Sequence, residues 1–255
     1  MVGLGGGTTA HFLSALPGVE KIVVVEILDD LGEFLSGNLE VVDATLADPR
    51  VRYVIDDARR YLYSRPDERY DLISIDPLRR YSSGHNNLYS LEAMELYRSH
   101  LTPNGVLCAY VDQRNILPAT MAAVFPFVDQ FRIRMAVGAD RPLEYGLEYM
   151  ERASRAYLNI AGESLAPEAS LALEPRTLLS EFLRDQGQIA LDERETPLLS
   201  DLEPYLEYYY LAKLAVKPIR FPPEMRAAFR RRISGCDSAC QDEVLRLMNR
   251  DRSEE

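Results

Sequence analysis

The first half of the chain alternates short apolar runs with amphipathic stretches. The runs at Lys21–Val25, Val51–Ile55 and Leu72–Ile75 are rich in β-branched residues and predict buried parallel strands. Helix-compatible segments follow the first two runs, at about 30–46 and at 58–64. Strands that alternate with helices in this way predict an α/β fold with a doubly wound, mostly parallel sheet.

The same alternation continues to about residue 111 and then changes. A helix is predicted at Leu91–Leu101, ending at the turn residues 102–105, and a strand at Val106–Val111. Segments 130–137 and 143–150 are predicted to be antiparallel strands that close the sheet.

From about Leu171 the pattern predicts helices separated by polar segments. We therefore expect two parts, a nucleoside-binding α/β domain over residues 1–165 and a helical C-terminal extension over residues 166–255.

The start of the sequence departs from this pattern. Only Met1 and Val2 precede the glycine-rich loop that begins at Gly3, whereas such a loop normally follows a central strand of about five residues. Without that strand its two neighbours would lack a backbone partner. We expect a truncated first strand, in a sequence that is a fragment, has a mis-set start or is one part of a longer ancestral chain.

Composition and charge narrow the class of protein. Hydrophobic residues make up 47% and charged residues 27% of the chain, as in ordinary globular proteins. The sequence contains neither an apolar run of about eighteen residues nor a secretory signal pattern, so we expect a cytoplasmic protein without a membrane partner. The net charge of −11 would repel nucleic acid and suits a cationic small substrate.

Two of the three cysteines, Cys236 and Cys240, lie four residues apart near the start of a predicted helix. One helical turn could bring them together as a redox pair or as half of a metal site. Since no second Cys/His pair stands nearby to complete a zinc site, we expect unrelated cysteines on one helix face and no bound metal.

The glycine-rich segment 3–9 is the strongest local motif. Glycines at a strand-to-helix turn let the backbone approach a ligand, so Gly3, Gly5 and Gly7 are candidate contacts to a nucleoside; a tight turn without a ligand is the alternative. Glu26 follows about twenty residues later, at the end of a strand, where a carboxylate can bind both ribose hydroxyls. The same carboxylate would repel a 2′-phosphate, which argues against NADP.

Two aspartates end later strands. Asp57 could accept a hydrogen bond from the exocyclic amine of adenine, or it could only cap the following helix. Asp76 lies where open α/β sheets bind their ligands, so its carboxylate could take a proton from an attacking amine or hold a cationic substrate; a loop aspartate with satisfied hydrogen bonds is the alternative.

The loop between Asp76 and the next helix is rich in polar and turn residues, which is typical of functional loops on α/β scaffolds. We take Arg79, His85, Asn87 and Tyr89 as candidate substrate-binding residues. His85 could equally be a surface histidine.

Taken in order, these motifs resemble the spermidine synthase family, also called polyamine aminopropyltransferases. Within this family, the sequence is most similar to spermidine synthase-like domains that occur fused to transporter segments. The resemblance implies the fold of class I methyltransferases. The matching segments are the glycine loop, VEKIVVVE, ADPRVRYVIDDARRYL, YDLISIDP, NNLYSLEAMELYRSHLTPNGVL and a late LLSDLEPYLEY.

The resemblance implies a donor that contains adenosine, with Glu26 at the ribose, Asp57 near the adenine and Asp76 as the general base. An aminopropyl group would pass from decarboxylated S-adenosylmethionine to an amine acceptor. It also implies a possible homodimer, because relatives associate.

Three departures from the family pattern leave other functions open. Gly5 replaces a loop aspartate, Arg79 replaces the aspartate that holds the diamine, and the sequence before the loop lacks the family's N-terminal β-domain. Arg79 cannot be deprotonated and would repel a polyamine. The alternatives are a methyltransferase that uses intact S-adenosylmethionine, in which Arg79 faces the donor carboxylate or an anionic acceptor, and a non-catalytic nucleoside-binding or interaction module.

Overall fold

The computed structural model describes residues 1–16, 18–75, 86–110, 116–132, 135–161, 174–194, 196–202 and 223–250. Its strands are β1 (Ile22–Glu26), β2 (Val51–Ile55), β3 (Tyr70–Ile75), β4 (Leu101–Tyr110), β5 (Phe127–Phe131), β6 (Met135–Ala139), β7 (Tyr145–Gly146), β8 (Phe182–Asp185) and β9 (Ile233–Ser234). Its helices are α1 (Thr8–Ala15), α2 (Leu31–Leu35), α3 (Glu40–Ala47), α4 (Ala58–Tyr63), α5 (Asn86–Tyr89), α6 (Leu91–Ser99), α7 (Ile116–Val124), α8 (Leu147–Ala161), α9 (Pro175–Ser180), α10 (Gln186–Asp192), α11 (Pro223–Arg230) and α12 (Ser238–Arg250).

Of the nine strands that the structure describes, seven (β1–β6 and β8) form one long sheet whose centre is completed by the first residues of the chain, and β7 and β9 form a separate parallel pair. β1 pairs with β2 and β3 pairs with β4, both in parallel. Val2 forms parallel bridges to Val25 of β1 and to Ile75 of β3, so it joins these two pairs. Beyond β4 the order is β6, β5 and β8, all antiparallel. The predicted doubly wound, mostly parallel α/β fold is confirmed.

The short first strand lies in the middle of this sheet. The Val2 N–H donates to the Ser74 carbonyl (2.8 Å), and the Gly3 N–H donates to the Val25 carbonyl (2.8 Å). In return the Val25 N–H donates to the Met1 carbonyl (3.0 Å). Residues 1–3 thus pair in parallel between β1 and β3, and they direct the glycine loop to the carboxyl edge of the sheet.

Helices cover both faces of the parallel strands, as the uninterrupted apolar run in β1 predicts. Val23 and Val25 point into a core cluster shared with α4 and α6. Ile22 and Val24 point the other way, into a cluster shared with α1 and α3. Burial of β1 on both faces positions the acidic side chain at its end inside the fold.

The predicted helix over 30–46 is wrong in one respect, because the structure contains two helices, α2 and α3, with a break between them. Gly37 occupies the left-handed region (φ +74°), which ends α2. The carboxylate of Asp43 in α3 accepts hydrogen bonds from the Ser36 hydroxyl (2.7 Å) and the Gly37 N–H (2.9 Å). These bonds stabilise the break.

Two strand predictions also need correction. Segment 130–137 contains the end of β5 and the start of β6, which form an antiparallel hairpin. Segment 143–150 is not a strand of the sheet, because only Tyr145–Gly146 is extended, it pairs with β9, and α8 begins at Leu147. β4 begins earlier than expected, at Leu101, with a register shift opposite β3.

The C-terminal part contributes a strand to the main sheet as well as helices. β8 extends the main sheet beside β5, and Arg184 on it is fully buried, with its guanidinium 2.8 Å from Glu193 and its Nε donating to Gln130. A buried guanidinium needs such partners. The predicted boundary at residues 165/166 lies outside the described residues. Among the described helices, none is both long and apolar enough to cross a membrane.

The expectation that Cys236 and Cys240 are unrelated is wrong, since the structure joins them by a disulfide across the N-terminus of α12. Both side chains are buried in a second core cluster, with Phe229 and Phe182. The bond therefore fixes the first turn of α12 against this cluster.

Candidate functional site

The glycine loop lies where the central strand passes into α1. Gly3, Gly5 and Gly7 all have positive φ angles, of 84°, 57° and 81°, which other residues rarely adopt. At Gly7 a Cβ atom would also lie 2.7 Å from Cγ2 of Val42, so both conformation and space require glycine there. The loop thus lies at the carboxyl edge of the sheet, with Gly3 half-buried and Gly5 and Gly7 buried.

Glu26 is the buried acidic group of this edge, with 5% of its surface exposed. One carboxylate oxygen accepts the Leu4 N–H at 2.7 Å, and the other accepts the Leu28 N–H at 2.9 Å. These bonds lock the carboxylate against the glycine loop. Since each carboxylate oxygen has two acceptor positions, both oxygens can still accept a hydroxyl hydrogen bond.

Apolar side chains stand exposed beside this carboxylate. Ile27 directly after β1 is 67% exposed, and Ile55 at the end of β2 is 44% exposed. The Asp56 N–H donates to the Glu26 carbonyl (2.9 Å), which holds the two strand ends together. An apolar surface next to a hydroxyl-binding carboxylate suits a nucleoside, whose base is flat and largely apolar on its faces.

Asp57 caps α4, because its Oδ1 accepts the Arg60 N–H at 2.9 Å. The capping role that the sequence left open is therefore real. Its neighbour Asp56 instead forms an ion pair with the side chain of Arg60 (2.5 Å). Capping fixes the Asp57 carboxylate at the start of α4, one strand away from Glu26.

The remaining predicted site residues divide into two groups. Asp76, Arg79 and His85 lie outside the described residues. Asn87 and Tyr89 lie on the short helix α5: Asn87 is exposed and its carbonyl accepts from Arg59 (3.1 Å), whereas Tyr89 is buried in the core. Tyr89 therefore presents little surface to a ligand.

An ion pair that the sequence does not reveal ties the C-terminal part to α4. The two terminal guanidinium nitrogens of Arg59, Nη1 and Nη2, donate to the carboxylate of Asp201, each at 2.7 Å, and the Ser90 hydroxyl donates to the same carboxylate at 2.6 Å. The Arg59 guanidinium holds the pKa of Asp201 below its ordinary value. The one hint in the sequence was the late LLSD segment, which contains Asp201, but the Arg59 that binds this aspartate lies 142 positions earlier.

Residues 199–202 lie against α5 and α6 through further backbone contacts. The Leu91 N–H donates to the Leu199 carbonyl (2.8 Å), and the Asn86 side chain donates to the Ser200 carbonyl (2.7 Å). This segment therefore packs beside the helix that follows the predicted substrate loop. Within the described part of the chain, no group of three or more His, Cys, Asp or Glu side chains could hold a metal ion.

Comparison with known proteins identifies relatives for the α/β part. The spermine/spermidine synthase domain model matches residues 1–131. A polyamine aminopropyltransferase from Mycobacterium tuberculosis is 34% identical over 110 residues, which cover 42% of this chain and 21% of that protein. One from Aeropyrum pernix is 28% identical over 141 residues, covering 51% of this chain and 45% of that protein. The chain thus spans less than half the length of these relatives.

Two solved structures are similar in part. Spermidine synthase from Thermotoga maritima matches with a TM-score of 0.47 and 22% identity, covering 55% of this chain and 52% of that one. Human methyltransferase-like protein 13, in complex with SAH, matches with a TM-score of 0.45 and 23% identity, covering 61% of this chain and 79% of that one.

Proposed function

Since the chain belongs to the spermine/spermidine synthase domain family, we propose that it transfers an aminopropyl group from decarboxylated S-adenosylmethionine to an amine acceptor. The observation that carries this proposal is the carboxylate of Glu26, buried and locked against the glycine loop by the N–H groups of Leu4 and Leu28. We infer the type of reaction, aminopropyl transfer, from the two relatives named above, which are polyamine aminopropyltransferases.

The donor would lie across the carboxyl ends of β1 and β2. Glu26 would accept hydrogen bonds from both ribose hydroxyls, one on each oxygen. The base would pack between Ile27 and Ile55, whose side chains are exposed at this edge, with its exocyclic amine directed to Asp57. Removal of these two side chains from water would contribute about 1.5–3 kcal/mol each if burial became complete.

The acceptor amine must be neutral to attack. Its nitrogen forms a bond to the carbon next to the sulfonium sulfur, the carbon–sulfur bond breaks, and its electron pair returns to sulfur, which leaves as neutral methylthioadenosine. The proton released from the new ammonium would pass to Asp76, which follows the end of β3. The overall negative charge of −11 would favour approach of a cationic acceptor.

Exchange of Asp76 for asparagine tests this assignment. In Asp76→Asn the proton acceptor is lost but the shape is kept, so we expect transfer to slow by about 10²–10⁴-fold while donor affinity stays unchanged. Asp67→Asn, at an exposed position before β3, is the matched control and should transfer at the rate of the unaltered chain. Equal rates in both variants would remove Asp76 from the mechanism. Methyl transfer from intact S-adenosylmethionine by the unaltered chain would replace the proposal with a methyltransferase.

A further inference from the structure

The late LLSD segment that contains Asp201 is fixed against two helices of the α/β part. The Leu199 N–H donates to the Thr120 hydroxyl in α7 (3.0 Å), and the Leu199 carbonyl accepts the Leu91 N–H of α6 (2.8 Å). The Asp201 N–H donates to the Glu92 carboxylate, also in α6 (3.1 Å). Because the backbone is held on both sides of Ser200, the Asp201 side chain projects from a fixed position.

The Asp201 carboxylate joins the first turns of three helices. It accepts hydrogen bonds from both terminal guanidinium nitrogens of Arg59 in α4, each at 2.7 Å. Arg59 Nη1 also donates to the Asn87 carbonyl in α5 (3.1 Å). The Ser90 hydroxyl donates to Asp201 (2.6 Å) and caps α6 by accepting the Ala93 N–H (3.2 Å). A two-point pair of carboxylate and guanidinium fixes direction as well as distance, so Asp201 sets these helix starts relative to one another.

The helix α4 needs such a contact because it is too short to hold its own orientation. It has six residues, and isolated helices of fewer than about 12 residues are marginal in water. One face packs in the core through Ala58, Tyr61 and Leu62. Arg59, whose side chain is 16% exposed, ties the first turn to Asp201 from outside that core.

The first turn of α4 also carries the carboxylate to which the adenine amine is assigned. Asp57 lies two residues before Arg59, and its Oδ1 accepts the Arg60 N–H at 2.9 Å. The cap therefore moves with the turn that Arg59 holds. A hydrogen bond to the base needs a distance of about 2.7–3.2 Å between heavy atoms, so a shift of about 1 Å at this turn would break it.

We propose that Asp201 is a positioning residue for the donor site, which acts through Arg59 to hold Asp57 within reach of the exocyclic amine of adenine. This role rests on the proposed function. It gives the C-terminal part, which lies beyond the family match at residues 1–131, a share in recognition of the base. Glu26 is held by hydrogen bonds within the α/β part instead. Loss of Asp201 should therefore weaken binding of the base and leave binding of the ribose unchanged.

Two ligands that differ only at the base test this role. Methylthioadenosine carries the exocyclic amine, and its 6-deamino analogue has a hydrogen atom in place of the amine. In Asp201→Asn we expect the dissociation constant of methylthioadenosine to rise about 10-fold, as for loss of one hydrogen bond to a charged group. The dissociation constant of the analogue should change less than about 2-fold. Asp140→Asn, which breaks an ion pair with Arg98 (2.7 Å) near the other end of α6, is the matched control and should change neither constant.

A second variant tests whether Asp201 acts through Arg59. Arg59→Gln should weaken methylthioadenosine binding as much as Asp201→Asn does. The double variant should lose no more affinity than either single variant, because both changes break the same contact. Losses that add in the double variant would overturn the link through Arg59.

Hydrogen exchange of the Arg60 amide, measured without ligand, reports on the Asp57 cap itself. We expect Asp201→Asn to speed this exchange about 10-fold and Asp140→Asn to leave it unchanged. Unchanged exchange in Asp201→Asn, or an equal loss of affinity for both ligands, would overturn the proposal. A chain that binds neither ligand but shows the faster exchange would refute the proposed function and leave the positioning of α4 standing.

Discussion

Replacement of Glu26 by glutamine removes the one buried carboxylate on which the proposed donor site depends. In the structure this carboxylate accepts two backbone hydrogen bonds, from Leu4 and Leu28. An amide keeps one acceptor and turns a donor towards the other N–H, so one bond is lost at a buried position. Loss of such a bond costs about 1–3 kcal/mol of folding free energy.

Donor binding should weaken as well, because the variant replaces a charged hydrogen-bond acceptor by a neutral amide. A hydroxyl bound to a carboxylate contributes about 1.5–3 kcal/mol and one bound to a neutral group about 0.5–1.5 kcal/mol. The loss is therefore about 1–1.5 kcal/mol for each hydroxyl, and for two ribose hydroxyls Glu26→Gln should raise the dissociation constant about 30–150-fold.

Titration calorimetry with methylthioadenosine, alongside thermal denaturation, measures both effects. Glu33→Gln is the matched control, because Glu33 is exposed on α2 and should change neither quantity. A Glu26→Gln variant that loses stability but binds methylthioadenosine as tightly as the unaltered chain would refute the reasoning, because Glu26 would then serve only to hold the loop.

Three further predictions concern single groups. Asp57→Ala removes the helix cap and should lose about 1 kcal/mol of stability, whereas Asp57→Asn keeps the cap. Both variants should bind methylthioadenosine more weakly. If calorimetry shows unchanged affinity in Asp57→Asn, Asp57 serves only as a helix cap. Arg59 lowers the pKa of Asp201 in the folded protein below the ordinary 3.8, so the ionised Asp201 stabilises the fold above about pH 4, and this stabilisation is lost as the pH falls through the lowered pKa. The unaltered chain should therefore have a higher Tm than Asp201→Asn above about pH 4, and the difference in Tm should shrink as the pH falls. A difference in Tm that stays constant with pH would contradict the ion pair. Reduction of the Cys236–Cys240 disulfide should lower stability by about 2 kcal/mol, since it closes a short loop; an unchanged denaturation midpoint in reductant would contradict its place in the folded state.

The parallel half of the fold could be predicted because local signals there agree with the tertiary structure. The run before Glu26 is apolar without interruption, and β1 is buried on both faces as such a run predicts. The sequence also assigned the glycine loop and Glu26 to the same nucleoside site, and in the structure the Leu4–Glu26 hydrogen bond joins them.

Other features depend on contacts that a single sequence does not reveal. Nothing near Arg59 indicates a partner 142 positions later. The disulfide is a different case, because the four-residue spacing of Cys236 and Cys240 permits a bond but does not require one. The break at Gly37 was visible in principle, since Gly followed by Asn is a turn signal, but the flanking apolar residues continued a helical pattern.

The most direct test of the central claim is calorimetric binding of decarboxylated S-adenosylmethionine, intact S-adenosylmethionine and methylthioadenosine to the purified chain. The account predicts that the decarboxylated donor and methylthioadenosine bind, and that the decarboxylated donor binds more tightly than intact S-adenosylmethionine. Preference for intact S-adenosylmethionine, or binding of none of the three, would contradict it.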